Sequence, residues 1–153
     1  MNREKLDFIK NEFIPLLWHL EATTMGKWGK MNAQQMVEHT TGFFKISTGN
    51  LEFPLVTPPD ILPKAKAFLL SEKEFRENTK SPVLPEEALP LEFATINEAI
   101  AALQKEITIF IERFEKEPGL ITQHPYFGDL NFEEWVQLHH KHMLHHGKQF
   151  GLI

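Results

Sequence analysis

Five of the chain's eight histidines crowd into residues 139–146, within the run His139-His140-Lys141-His142-Met143-Leu144-His145-His146. Imidazoles four residues apart on a helix stand one turn apart on the same face. His142 and His146 can therefore point the same way and close on one metal ion, which needs only one or two further ligands from a neighbouring helix to form an open, catalytic-type site. His39, inside another amphipathic segment, is a third candidate. Histidine-rich helix ends also arise as groups interacting with the negative end of the helix dipole, or as solvated polar faces.

What is missing excludes several familiar centres. The chain has no cysteine, so thiolate zinc sites, redox pairs, cysteine nucleophiles and covalently attached c-type haem are ruled out. A zincin helix needs His-Glu-x-x-His, but Met143 follows His142 and no carboxylate lies between the histidines. Ferritin-like di-iron bundles use Glu-x-x-His, and neither His39 nor His142 has a glutamate three residues before it. Any site here is mononuclear. The formal charge of −5 comes with no Lys/Arg-rich block, which argues against nucleic acid as a partner. The N-terminal MNREKLDFIK lacks the apolar core of a signal peptide, and no apolar run is long enough to span a bilayer. The expectation is a cytoplasmic protein with no membrane partner.

The 153 residues read as one domain, 1–153, with an all-α architecture of four helices. The first, about 3–21, carries Leu6, Ile9, Phe13, Leu17 and Leu20 at three- and four-residue spacing, with Pro15 predicting a kink or boundary. The second starts at Asn32, where Asn-Ala-Gln-Gln35 resembles a capping box, and runs to about Thr48 with Met36, His39, Thr40, Phe43 and Ser47 inward. From Gly49 to Thr95 prolines 54, 58, 59, 63, 82, 85 and 90 interrupt regular structure, leaving room for at most a short helix after Asp60. Leu62, Phe68, Leu69, Leu70, Phe75 and Val83 nevertheless argue that this long proline-rich connection packs, and such connections tend to cover functional sites. The third helix, Asn97 to Lys116, has Ile100, Leu103, Ile107, Phe110 and Phe114 on one stripe and stops at Pro118-Gly119. After a linker, His124-Pro-Tyr-Phe-Gly-Asp129, the capping box Asn131-Phe-Glu-Glu134 opens the fourth helix, which ends around Gly147.

Projected at 100° per residue, the fourth helix places Trp135, Leu138, His139, His142, His145, His146 and Gln149 on one half and His140, Lys141, Leu144 and Lys148 on the other. Trp135 and Leu138 mark the buried side, so His142 and His146 face inward and His140 faces solvent. Two buried imidazoles need partners, since an unsatisfied buried polar group costs roughly 1–3 kcal/mol. A metal ion satisfies both; a hydrogen-bonded pair serving only the core is the alternative.

The segment Trp28-Gly-Lys-Met-Asn-Ala-Gln-Gln-Met-Val-Glu-His39 resembles the start of the second helix in the DinB-like superfamily. His124-Pro-Tyr-Phe-Gly128, Glu134-Trp135 and His142-Met-Leu-His-His146-Gly-Lys-Gln149-Phe-Gly151 are similar to its closing segment, in the branch that ends in His-x-x-His-His-x-x-Gln-Phe-Gly. The resemblance implies a DinB-like four-helix bundle, commonly a homodimer, that binds one divalent metal through one histidine of the second helix and two of the fourth. Here these are His39, His142 and His146. Gln35, Phe43, Trp135, His139, His145 and Gln149 are the candidates for lining the pocket or orienting the ligands.

Three neutral imidazoles favour zinc or nickel and also accommodate manganese or iron. The resemblance implies a metal-dependent transferase acting on a small molecule with a low-molecular-weight thiol, which this cysteine-free chain would have to receive as a cosubstrate. A hydrolase using metal-bound hydroxide, a non-catalytic metal-binding or stress-associated interaction protein, and a histidine-lined site that works without metal are the other readings. No catalytic residue is assigned.

Overall fold

The fold is described from a computed structural model over residues 2–79 and 89–153, so Pro82, Val83 and Pro85 of the proline-rich connection lie outside the described residues. The chain opens with α1 (Arg3–Asp7), a π-helical turn (Phe8–Glu12) and α2 (Phe13–Leu17), followed by α3 (Ala33–Ser47), α4 (Leu62–Leu70) and α5 (Ile96–Lys116). A hairpin of β1 (Thr122–His124) and β2 (Gly128–Leu130) leads into the closing helix α6 (Phe132–Gln149).

The expectation of an all-α four-helix bundle is therefore corrected on two counts. The proline-rich connection contributes its own helix, α4, with Pro63 in the first turn, where a missing N–H costs nothing. The expected linker before α6 is an antiparallel two-stranded sheet in the register Thr122↔Leu130, Gln123↔Asp129 and His124↔Gly128. Three residues, Pro125 to Phe127, turn the hairpin, and Gly128 follows them at φ 79°, a left-handed conformation that glycine adopts without strain. His124 closes the turn from inside. Its Nδ1 accepts hydrogen bonds from the backbone N–H groups of Tyr126 (3.0 Å) and Phe127 (3.2 Å).

Local signals place the helix ends. Asn32 and Asn131 cap α3 and α6, and each helix has the complete reciprocal capping box, with Gln35 and Glu134 returning to the cap backbone. Thr95 caps α5 through Glu98 N–H. The disturbance expected at Pro15 appears one turn earlier. Phe13 N–H bonds to Phe8 C=O across five residues, and this wider turn prepares the helix for a residue that cannot donate. The first helical region ends at Leu17 rather than near residue 21.

Ile9, Phe13, Leu17, Met36, Phe44, Ile100, Leu103, Ile107, Phe110, Phe114 and Trp135 form a continuous buried core, and the stripes read from the first three helices supply most of it. The closing helix is different, because neighbours cover it on several sides. The half of α6 expected to face solvent is partly enclosed. Lys141 is buried, donates to Ser71 C=O (2.9 Å) and Lys73 C=O, and lies 4.7 Å over the Phe68 ring. His140 is half-buried, edge-on to Phe8 at 5.2 Å. A helical wheel registers only a helix's own residues. The segment after α4 supplies the cover, and its carbonyls supply the acceptors that let an ammonium group lie beneath it.

Lys141→Met keeps the aliphatic stem over Phe68 and removes the charge. The expected cost is about 1–3 kcal/mol of stability, with faster amide exchange confined to residues 71–75. Hydrogen–deuterium exchange checks this, and unchanged protection of that segment would show that the lysine does not hold it.

Candidate metal centre

Helices α3 and α6 bring the three predicted ligands together. His39 Nε2 lies 3.0 Å from His142 Nε2, and His142 Nε2 lies 2.9 Å from His146 Nε2. The three candidate ligand atoms fall within 4.8 Å of one another. His142 and His146 are buried and one helical turn apart; His39 is half-buried and crosses to them from α3. Imidazole nitrogens at 2.0–2.1 Å from a tetrahedral ion stand about 3.3 Å apart. The two short contacts to His142 would lengthen by only a few tenths of an ångström to admit one.

Proton counting favours a cation. Gln149 Nε2 donates to Trp28 C=O (2.9 Å), which turns Gln149 Oε1 toward His146 Nδ1 at 2.6 Å. An amide oxygen only accepts, so the His146 ring proton is on Nδ1 and its Nε2 presents a lone pair. His142 Nε2 then faces two neighbouring nitrogens with at most one proton to share. An Nε2–H on His142 can point fully at only one of those nitrogens, and with His142 Nε2 unprotonated its contact with His146 is lone pair against lone pair, so no neutral arrangement gives both short contacts a straight hydrogen bond. Extra protons are opposed by burial. Burial first, then the neighbouring His145, holds His39 down to about 4, and burial followed by the neighbouring imidazoles holds His142 and His146 well below 6.5. A hydrogen-bonded pair of His142 and His146 leaves the His39 contact poorly answered, whereas a shared dication would take all three lone pairs. His142 Nδ1 is buried and without a partner among the described residues, and Nε2 ligation would place the ring proton there.

The other expected residues divide between wall and scaffold. Phe43 belongs to the wall, 4.9 Å from the His39 ring and 4.5 Å from the His142 ring. His145 lies edge-on to Trp28 (5.5 Å), Phe75 (5.8 Å) and His146 (5.1 Å). Gln35 is occupied by the α3 capping box, and its Nε2 reaches Leu89 C=O at 3.3 Å. His139 and Trp135 are scaffold. His139 stacks on Phe44 at 3.7 Å and 6° between planes, with Trp135 at 5.5 Å on the same ring, and its Nε2–H donates to Ser47 Oγ (3.0 Å). Trp135 donates to Thr122 Oγ1 (2.7 Å), which donates to Ser47 C=O (2.8 Å), so buried polar atoms join α6, β1 and α3 below the site.

Two neighbours escaped sequence reasoning as site residues. His124 comes from the hairpin to stack on Phe43 at 6.0 Å and 25°. Its Nδ1 accepts two backbone N–H groups, so its ring proton is on Nε2. Trp28 contributes a carbonyl to Gln149 and a ring to His145, and its buried Nε1 has no partner among the described residues. Both open segments that carry the DinB-like resemblance, but they lie outside the helices, where no periodicity tells which way a side chain points.

The model of the family described as "Protein of unknown function (DUF1569)" matches residues 17–151. The chain belongs to that family. The match spans His39, His142, His146 and Gln149, together with α3 to α6 in full, whereas the α1 and π-helical turns precede it. Comparison with curated proteins and with solved structures finds no match.

The buried histidines below the site tie stability to pH. Burial depresses His124 from 6.5 to about 3, and burial with the neighbouring His124 depresses His139 from 6.5 to about 3. Each stays neutral when folded and takes up a proton on unfolding between those values. Their stabilisation is fully present above pH 6.5 and is lost as pH falls toward 3, by up to about 1.4 kcal/mol per pH unit for each histidine. His139→Gln, which retains an N–H for Ser47, should lower the slope of unfolding free energy against pH by about one proton between pH 4 and 6. Denaturant titrations at several pH values measure it, and an unaltered slope would remove His139 from the linkage.

Proposed function

We propose that this protein is a divalent-metal-binding protein that holds one ion through His39, His142 and His146, and that the ion serves a transferase reaction with a low-molecular-weight thiol as cosubstrate. The convergence of three proton-poor Nε2 atoms from two helices carries the metal reading. The resemblance of the His39 and His142–Gly151 segments to DinB-like sequences supports the thiol reading, and in a chain without cysteine any thiolate would have to come from outside.

Zinc and nickel suit three imidazoles best. Held by three neutral ligands, such an ion keeps its full charge and open positions, and supplies Lewis acidity that lowers the pKa of a thiol or water. The chain's own residues do the rest. Gln149 orients His146. Phe43, Trp28 and Phe75 form apolar surface around the histidines, which strengthens electrostatic interactions by excluding water. No carboxylate stands among the three ligands. A reaction that needs only an activated thiol and an electrophilic small molecule fits that inventory better than one requiring a general base.

Protein prepared without a histidine tag and reconstituted with zinc or cobalt should carry one ion per chain. His142→Ala or His146→Ala should each remove most of that binding while His140→Ala leaves it intact, as read by elemental analysis and titration calorimetry. At free metal a hundredfold above its dissociation constant, loading should stabilise the fold by roughly 2.7 kcal/mol, visible as a rise in Tm that a chelator reverses. Equal metal content in both inward variants would overturn the ligand assignment. Adding a small thiol to the cobalt-loaded protein should produce a near-ultraviolet sulfur-to-cobalt charge-transfer band; its absence would withdraw the thiol reading and leave the metal site standing.

A further inference from the structure

The loop between α2 and α3 closes around a single side chain of the last helix. Lys27 N–H donates to the backbone carbonyl of Gln149 (2.7 Å), and Trp28 C=O accepts from the Gln149 side-chain Nε2 (2.9 Å). The loop thus grips both the main chain and the amide of one residue. Glycines make the grip possible. A Cβ at Gly26 would stand 2.8 Å from Gln149 Cγ and 2.9 Å from Trp28 O, and a Cβ at Gly29, which has φ +79°, would stand 2.9 Å from Gln149 Nε2. Any larger residue at either position collides with the amide or with the backbone that holds it.

The consequence reaches the histidines. With its N–H₂ end fixed on Trp28 C=O, the Gln149 amide cannot rotate without losing that bond, so Oε1 stays on His146 Nδ1. A ring that must donate from Nδ1 keeps its Nε2 lone pair directed at His142 Nε2, where the three imidazoles meet. We infer that Gln149, clamped by the Gly26–Gly29 loop, is a positioning residue that locks His146 into the tautomer and orientation needed for ligation, making the loop part of the metal centre although no loop side chain reaches the ion. The link to metal affinity rests on the metal-binding reading above; the tautomer lock stands apart from it.

The test uses the full-length chain, with cobalt as the probe. In metal-free protein, ¹⁵N spectra of the imidazoles should show His146 as the Nδ1–H tautomer. Gln149→Met, which fills the same volume without an acceptor, should give a tautomer mixture and weaken cobalt binding by about 10- to 100-fold, the range usual for losing a partner that orients a ligating histidine. Gly26→Ala leaves every polar group of the site in place and should reproduce the tautomer shift by displacing the amide. Circular dichroism melts of both metal-free variants separate this from failure to fold, and whichever variant folds is decisive. A His146 tautomer unchanged in a folded variant overturns the clamp. If the native spectrum shows the locked tautomer and the variants release it, yet native protein takes up no cobalt, the clamp is upheld and the metal-binding reading falls.

Discussion

The structure depends on α6 being buried while carrying a polar sequence. Between Trp135 and Gln149 it places His139, Lys141, His142, His146 and Gln149 out of solvent, and each such group costs free energy unless something answers it. The surrounding elements answer them one by one. Ser47 on α3 accepts from His139, the carbonyls beyond α4 accept from Lys141, and the loop before α3 holds Gln149. Those partners come from three separate stretches of chain. Packing around α6 is therefore specified by hydrogen-bond chemistry as well as by apolar area. An alternative helix register would leave several buried donors unmatched at once.

His142 stands apart in this pattern. Every other buried polar side chain of α6 has found a protein partner that suits it, whereas His142 meets two further imidazoles at Nε2 and nothing at Nδ1. A frustrated polar group amid otherwise satisfied ones is what a site built for a ligand looks like before the ligand is considered. The surrounding satisfaction also holds the three rings near ligating separation without the ion. Little reorganisation then opposes binding.

The sequence was legible where a signal is local to one helix. Asn32 with Gln35 and Asn131 with Glu134 announced two helix starts to the residue, and the apolar stripe of α5 named Ile100, Leu103, Ile107, Phe110 and Phe114 of the core, whereas on α3 the fully buried ring is Phe44 rather than the expected Phe43. The inward direction of His142 and His146 followed from Trp135 and Leu138 on the same wheel. Lys141 shows where that reasoning ends: it lies on the half of the wheel opposite Trp135 and is buried because residues 71–73, some seventy positions away in the chain, come to lie over it. The hairpin was hidden for a different reason. Three-residue strands are too short for alternation to register, and its turn is completed by His124 acting on the backbone of its own loop. The π-helical turn before Pro15 is a backbone adjustment that the stripe of Ile9, Phe13 and Leu17 does not reveal.

The segments hardest to read are those that complete the site. Phe75 reaches His145 from the long connection, His124 reaches Phe43 from the hairpin, and Trp28 reaches Gln149 from the first loop. None of these contacts lies between neighbouring helices of a simple bundle. The added helix and the added sheet are thus the means by which a two-helix histidine cluster acquires walls on its remaining sides. Those walls are made of aromatic rings and backbone carbonyls, with Glu74 and Glu77 acting on His145 from either side of Phe75. Loops carried on a rigid frame can change more freely than the frame itself, so the contacts around the triad are the part of the structure freest to vary while α3 and α6 keep the three histidines together.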